Sequence, residues 1–448
     1  MEASSDNVKG IDIKFTIISA LALVLTTYVL ILVFNKILTK GTTCKYEYSE
    51  LSKYSNLNAV AVSDAGESLG NHYIKTAYNC CSVADKWVNI CALKYTIKEG
   101  CRCLDFEIFD VNGEPVVGTT LSKNGTEKDS YNHLKLSEVL ETIDDMAFNG
   151  NYFQGTVYQD PLLLNFRIKS TSVNIYDKMS DDIYDILNDK LLDTTYSFYN
   201  RDVSLNISEP TDGVTDNIFE KKISDLKGKI IIMSSDCNLT TMNKSKLSEL
   251  VNVVGSRTGV SGGLTCDINL ANVQLTSKNY PLIQLNNSHV VSGTNQINNL
   301  YNVTSSSNYA VIMIPDDNNN NNINYCYHKK EGIQMIGMLF QKIVPKDYSK
   351  NKWLYLNTVD DDKRAELLEY EELGNIENYN RWFLDNECAF ILKSSDKHSD
   401  ANDLNGCDSS SIYNVGQGLS YLDEEEEETS KVKKYKDWFY KFFNNLGF

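Results

Sequence analysis

Positive charge, proline and histidine are all scarce in this 448-residue chain. Lys and Arg number 43 against 60 Asp and Glu, a formal net charge of -17. That balance excludes general nucleic-acid binding, because phosphate contacts need clustered Lys and Arg. Proline (6) is rare while asparagine is abundant, a bias we read as compositional. Asn-X-Ser/Thr triplets begin at Asn124, Asn206, Asn238, Asn243 and Asn302, but so much asparagine produces them by chance, and the sequence alone gives them no weight. There are five histidines, and His72 and His133 read first as surface residues, since so few need no special role. No C-x-x-C pair repeats, which argues against a structural zinc site. Eleven cysteines in so long a chain are no disulfide scaffold. They read as reduced, mostly buried thiols of a cytosolic compartment.

What the chain does have is a 42% hydrophobic composition, enough for a substantial core. It also has one long apolar run, Phe15 to Asn35, without charge, Gly or Pro. At about 1.5 Å rise per residue this run spans a hydrocarbon core of about 30 Å. It is longer than a signal-peptide apolar region and lacks a small-residue cleavage site, so it predicts an uncleaved single-pass membrane anchor. Lys9 and Lys14 precede it, while Lys36, Lys40 and Lys45 follow it. This count leans towards a cytosolic C-terminal part.

The chain therefore divides into an N-terminal tail (1–14), a transmembrane helix (15–35), a polar connector (36–70) and two half-barrels (71–236 and 237–397). An acidic disordered tether (398–429) and a basic amphipathic helix (430–448) follow. Strands are predicted at Tyr73–Tyr78, Cys101–Phe109, Leu162–Ile168, Lys229–Met233, Leu250–Val254, Tyr309–Ile314, Ile333–Phe340 and Ala389–Leu392. Several are continuous apolar runs, as expected of strands covered on both faces. Amphipathic segments such as Leu136–Phe148 and Ile175–Leu192 lie between them. The alternation predicts an α/β fold, a closed (β/α)8 TIM-type barrel whose functional groups gather at the C-terminal strand ends.

The sharpest functional signal is Gly100-Cys101-Arg102-Cys103-Leu104-Asp105-Phe106-Glu107-Ile108-Phe109-Asp110. Asp105 and Glu107 alternate along a strand and so share a face. Two carboxylates among apolar neighbours need a metal, a cation or a solvent-filled mouth.

These stretches together resemble the eukaryotic phosphoinositide-specific phospholipase C barrel, in its X and Y halves, within the wider superfamily of phospholipase C-like phosphodiesterases. Tyr73–Asn79 is similar to the family's first strand, Gly100–Asp110 to its Gly-Cys-Arg-Cys strand, and Leu226–Ile230 to its last X-half strand. Leu247–Val251, Ser306–Tyr309, Gly332–Gln341 and Phe383–Lys393 resemble Y-half elements. The resemblance implies a calcium site, with Asn79, Asp105 and Glu107 at ligand positions. It also implies two catalytic histidines, but the first falls at Tyr78 and the second is lost in Gly118-Thr119-Thr120. Arg167 stands at the last acid ligand, Met233 and Ser235 at two phosphate-binding lysines, and Asn299 at a substrate arginine. Tyr301 keeps the substrate-binding tyrosine.

Tyrosine, with a reference pKa of about 10, is a poor base at neutral pH. Arg167 is expected to form an ion-pair cluster with Asp105 and Glu107 in the metal's place. The favoured expectation is a membrane-anchored, catalytically impaired barrel that acts as a binding or scaffold module. Its partners would be membrane lipids, phosphoinositides among the candidates, and a protein the sequence does not name. The alternatives are an active phosphodiesterase with rearranged groups and a purely structural membrane protein. A histidine reaching the mouth beside Asp105 would favour activity.

Overall fold

Uninterrupted aliphatic runs are stable as strands only where both faces are covered, and the computed structural model places them so. It describes residues 17–31, 56–83, 87–120, 128–193, 196–197, 217–235, 239–257, 282–286, 310–315, 322–323, 325–340 and 376–396. In chain order the strands are β1 (His72–Ala77), β2 (Ser82–Val83), β3 (Trp87–Val88), β4 (Cys103–Val111), β5 (Glu114–Gly118), β6 (Leu134–Lys135), β7 (Leu162–Ile168), β8 (Ile230–Ser234), β9 (Val253–Arg257), β10 (Leu282–Asn286), β11 (Ala310–Ile314), β12 (Met335–Met338) and β13 (Phe390–Leu392).

Parallel pairing runs β4-β7-β8-β9-β10-β11-β12-β1. The ring closes where β1 meets β4, through Thr76↔Cys103 and Ala77↔Leu104. This is the expected α/β barrel, with one substitution of parts. Ala389–Leu392 was expected as a barrel strand, but β13 lies antiparallel on β1, with His72 opposite Leu392. Its place in the ring belongs to β10, a short segment that apolar patterning did not reveal. β9 also starts later than expected, because Lys246–Glu249 turns as a 3-10 helix and draws Leu247 and Ser248 inward.

Helices cover the ring from outside. Leu136–Met146 buries Leu136, Val139, Leu140, Ile143 and Met146, one face at helical spacing. Val173–Leu187 buries Ile175, Tyr176, Met179, Ile183 and Leu187 in the same way. Between β4 and β5 the chain turns at Asn112-Gly113, both with positive φ (58° and 78°), while Asp110 accepts the Gly113 N–H at 2.9 Å. Asn-Gly is the pair a tight hairpin of this kind selects. Helix Ile376–Asp385 is fixed by aromatic packing: Trp382 lies 5.2 Å from Tyr73 and 4.7 Å from Phe383, centroid to centroid. The Tyr379 hydroxyl accepts the Thr76 N–H at 2.9 Å and donates to the Ile336 carbonyl at 3.1 Å.

Residues 17–31 are helical and their apolar side chains, such as Leu23, are exposed. The flanks of the predicted span lie outside the described residues, and among the described residues no helix is long and apolar enough to cross a membrane. The acidic tether and the basic C-terminal helix also lie outside them. The cysteine reading needs correction at two positions. Cys80, Cys81, Cys101 and Cys103 are free and buried, and Cys388 is free, whereas Cys91 and Cys326 are disulfide-bonded.

Candidate functional site

Strand register decides which side chains meet at the mouth. β4 and β7 pair with Asp105 opposite Asn165 and Glu107 opposite Arg167. Neighbours in a parallel register row share a face, so Asp105, Glu107, Asn165 and Arg167 all point into the barrel at the C-terminal strand ends. Asn79 arrives from the turn after β1 in a left-handed conformation (φ 47°), which asparagine tolerates better than most residues. That turn is tied to β4: the Asn79 N–H donates to Asp105 Oδ1 at 3.3 Å and the Cys80 N–H to the Asp105 carbonyl at 3.1 Å.

Arg167 is the centre of the site. Its Nη1 donates to Glu107 Oε1 at 2.6 Å, and its Nη2 to Asp105 Oδ1 at 2.7 Å and Asn79 Oδ1 at 2.6 Å. Its Nε reaches Asp105 Oδ2 at 3.0 Å. The Tyr78 ring covers the guanidinium face at 4.5 Å, a cation–π contact. Arg167, Asp105 and Glu107 are at most 1% exposed. Burial acts to lower the arginine's pKa, but the carboxylates of Asp105 and Glu107 outweigh it and hold the group well above its ordinary value. The cation is therefore permanent.

Further donors reach both carboxylates. Asn165 Nδ2 donates to Asp105 Oδ2 at 2.7 Å and to Ser235 Oγ at 3.1 Å, and the Thr120 N–H donates to Glu107 Oε2 at 2.8 Å. The sequence reading did not assign Asn165 and Thr120 to the site. Asn165 lies two residues before Arg167 and so on the same face of β7, but its contact with Asp105 is visible only once β7 is aligned with β4. Met233 and Ser235, at the positions of expected phosphate-binding lysines, are fully buried.

Calcium fails a fit test on these residues. Asn79, Asp105 and Glu107 are the oxygen donors a hard cation would need, and each already receives an Arg167 N–H. The residues predicted as metal ligands are brought together, with Arg167 among them. Among the described residues no group of three or more His, Cys, Asp or Glu could hold a metal.

No described histidine stands beside the acids. His72 is not a surface residue: it starts β1, at the end of the barrel opposite the mouth, and is buried with Nδ1 2.8 Å from the Ser68 carbonyl. His328 is buried in helix Tyr325–Lys330, where desolvation pushes its pKa down to about 3. His133, just before β6, is exposed. It lies two strands out from Glu107, about 10 Å at ordinary strand spacing. Tyr301 and Asn299 lie outside the described residues.

Residues 67–235 match the family model of the phosphatidylinositol-specific phospholipase C X domain. No curated protein matches the chain. Among solved structures the chain is similar to L. pealei PLC21, at 16% identity and TM-score 0.44, over 62% of this chain and 34% of that one. It spans about a third of that protein's length. A calcium-dependent phosphoinositol-specific phospholipase C from Pseudomonas sp. is similar at 9% identity and TM-score 0.39, over 63% of this chain and 93% of that one. The phosphatidylinositol-specific phospholipase C of Listeria monocytogenes is similar at 12% identity and TM-score 0.28, over 69% and 87%.

Proposed function

We propose, from the premise that residues 67–235 are a divergent phosphatidylinositol-specific phospholipase C X domain, that this barrel is catalytically impaired and serves as a membrane-associated binding or scaffold module. The observation that carries this is the saturation of Arg167 by Asp105, Glu107 and Asn79. Phosphodiester cleavage of this class needs a base on the attacking hydroxyl and positive charge on the phosphate. Here the cation at the mouth is neutralised by its own protein, and the ring of Tyr78, at a histidine position, is held against the guanidinium.

The membrane part of the reading rests on the uncharged run Phe15–Asn35 and on the exposed apolar side chains of residues 17–31. Membrane lipid headgroups are the ligand class the family resemblance suggests, and a protein partner is the other class a scaffold implies.

The test is turnover of phosphatidylinositol and its phosphates by the full chain in detergent, with calcium or with chelator. No turnover is expected in either condition. Turnover that disappears in Asp105→Ala or His133→Ala would overturn the reading, and would make the chain an active phosphodiesterase that uses Arg167 in place of a metal.

A further inference from the structure

Two cysteines and one turn bear on where this barrel folds. Cys91 lies in helix Ile90–Lys98, which leads into β4, and Cys326 in helix Tyr325–Lys330, which leads into β12. Both are disulfide-bonded. Disulfides persist in oxidising compartments and are rare where glutathione and thioredoxin keep thiols reduced. Four of the five free thiols among the described residues are shielded in a way compatible with such a compartment, and the fifth, Cys388, is half-buried. Cys80, Cys81, Cys101 and Cys103 are all buried, and exchange needs an accessible thiolate. Desolvation pushes the Cys101 thiol up to about 12.

The turn is Asn243-Lys244-Ser245, an Asn-X-Ser triplet on the short connection between the two half-barrels. It lies between helix Leu239–Met242 and the 3-10 turn Lys246–Glu249. Its backbone is closed by Lys244 N–H to the Thr241 carbonyl (3.1 Å) and Ser245 N–H to the Met242 carbonyl (3.0 Å). The next residue is pinned to helix Val173–Leu187 through Lys246 N–H to Asp177 Oδ1 (2.8 Å). Asn243 and Lys244 are exposed while Ser245 is buried. The folded barrel thus leaves the Asn243 amide open to solvent, where a bulky, solubilising glycan costs no packing. By itself the triplet is a chance product of an asparagine-rich chain; the disulfides supply the compartment in which it is read.

We infer that the barrel resides on the lumenal or outer side of its membrane and that Asn243 carries an N-linked glycan there. The lysine count around the apolar run leans the other way by a single charge, and long domains translocate largely regardless of charge. Disulfide-bonded Cys91 and Cys326 favour an oxidising compartment more strongly than one lysine favours the other side. The inference does not depend on whether the mouth is catalytic.

The test is expression of the full chain in a eukaryotic cell with N-glycosylation machinery, followed by denaturation and maleimide labelling before and after reduction. Peptide-N-glycosidase release in heavy-oxygen water, with peptide mapping, marks a once-glycosylated asparagine as aspartate. Cys91 and Cys326 are expected to label only after reduction, and Asn243 to be marked. Asn243→Gln should lose one glycan's worth of gel mobility shift. Ser245→Thr, which keeps the triplet, should lose none. Labelling of Cys91 and Cys326 without reductant would overturn the compartment assignment. Oxidised Cys91 and Cys326 with an unmarked Asn243 would overturn the modification site.

Discussion

Arg167→Met is the perturbation that most directly tests the site. The arginine is the only cation in the described cluster, and removing it leaves Asp105 and Glu107 buried without their charge partner. Deleting one member of a buried ion pair costs about 3–5 kcal/mol. Part of each carboxylate stays satisfied, because Asn165 and the Asn79 N–H still donate to Asp105 and the Thr120 N–H to Glu107. The lower end, about 3 kcal/mol, is therefore expected. In urea, at a slope of about 3 kcal/mol/M for a domain of this size, this is a midpoint shift of about 1 M. Removing the whole cluster, as Asp105→Asn with Glu107→Gln and Arg167→Met, should recover most of the loss, because apolar or neutral replacement of a complete buried network is often close to neutral. The deficit of Arg167→Met should also be smaller at pH 5 than at pH 8. An unpaired buried carboxylate has a raised pKa and takes up a proton on acidification, which removes the buried charge. The assay is urea denaturation followed by tryptophan fluorescence at both pH values. A single-variant shift below about 0.3 M, or a triple variant no better than the single one, would refute the cluster as the stabilising centre of the mouth.

Arg167→Glu should recreate an all-oxygen site from Asn79, Asp105, Glu107 and the new carboxylate. Millimolar calcium is then expected to raise the thermal midpoint of the variant, while calcium or chelator leaves the parent chain unchanged; an equal response of both would sink the reading. Glu99 is buried and its carboxyl has no hydrogen-bond partner, and desolvation pushes its pKa up to about 8. The folded state therefore holds a proton the unfolded state has lost, so this contribution is full below about 4.5 and disappears as pH rises through about 8. Glu99→Gln should flatten stability across that window, as read by thermal midpoints from pH 4.5 to 8.5. Tyr379→Phe removes the hydroxyl that receives the Thr76 N–H and donates to Ile336. A loss of about 1–3 kcal/mol is expected in the same urea assay, and no loss would show that both groups find other partners.

Much of the barrel was legible because its strands are buried on both faces. Leu162–Leu164 and Ile230–Met233 are uninterrupted apolar runs, and such runs are read directly from residue type. β10 was not legible. Gln284 and Asn286 interrupt its apolar character, and only pairing with β9 and β11 gives the segment a place. β13 misled for the opposite reason: Phe390-Ile391-Leu392 has strand composition, but composition does not say whether a strand joins the ring or caps it. His72 was misread because a lone histidine carries no burial signal, while the fold seals it at the base of β1.

The alternation of Asp105 and Glu107, their apolar neighbours and the cationic character of Arg167 follow from covalent order and strand period alone, and they required some internal compensation for two acids on one face. Which cation compensates, and through which atoms, depends on the register of β4 against β7. A one-residue slip would turn Arg167 out of the barrel. Asn79, 88 residues from Arg167, joins it only because ring closure returns β1 to β4. The sequence supplies the charges, and tertiary structure decides that they satisfy one another instead of a metal or a phosphate.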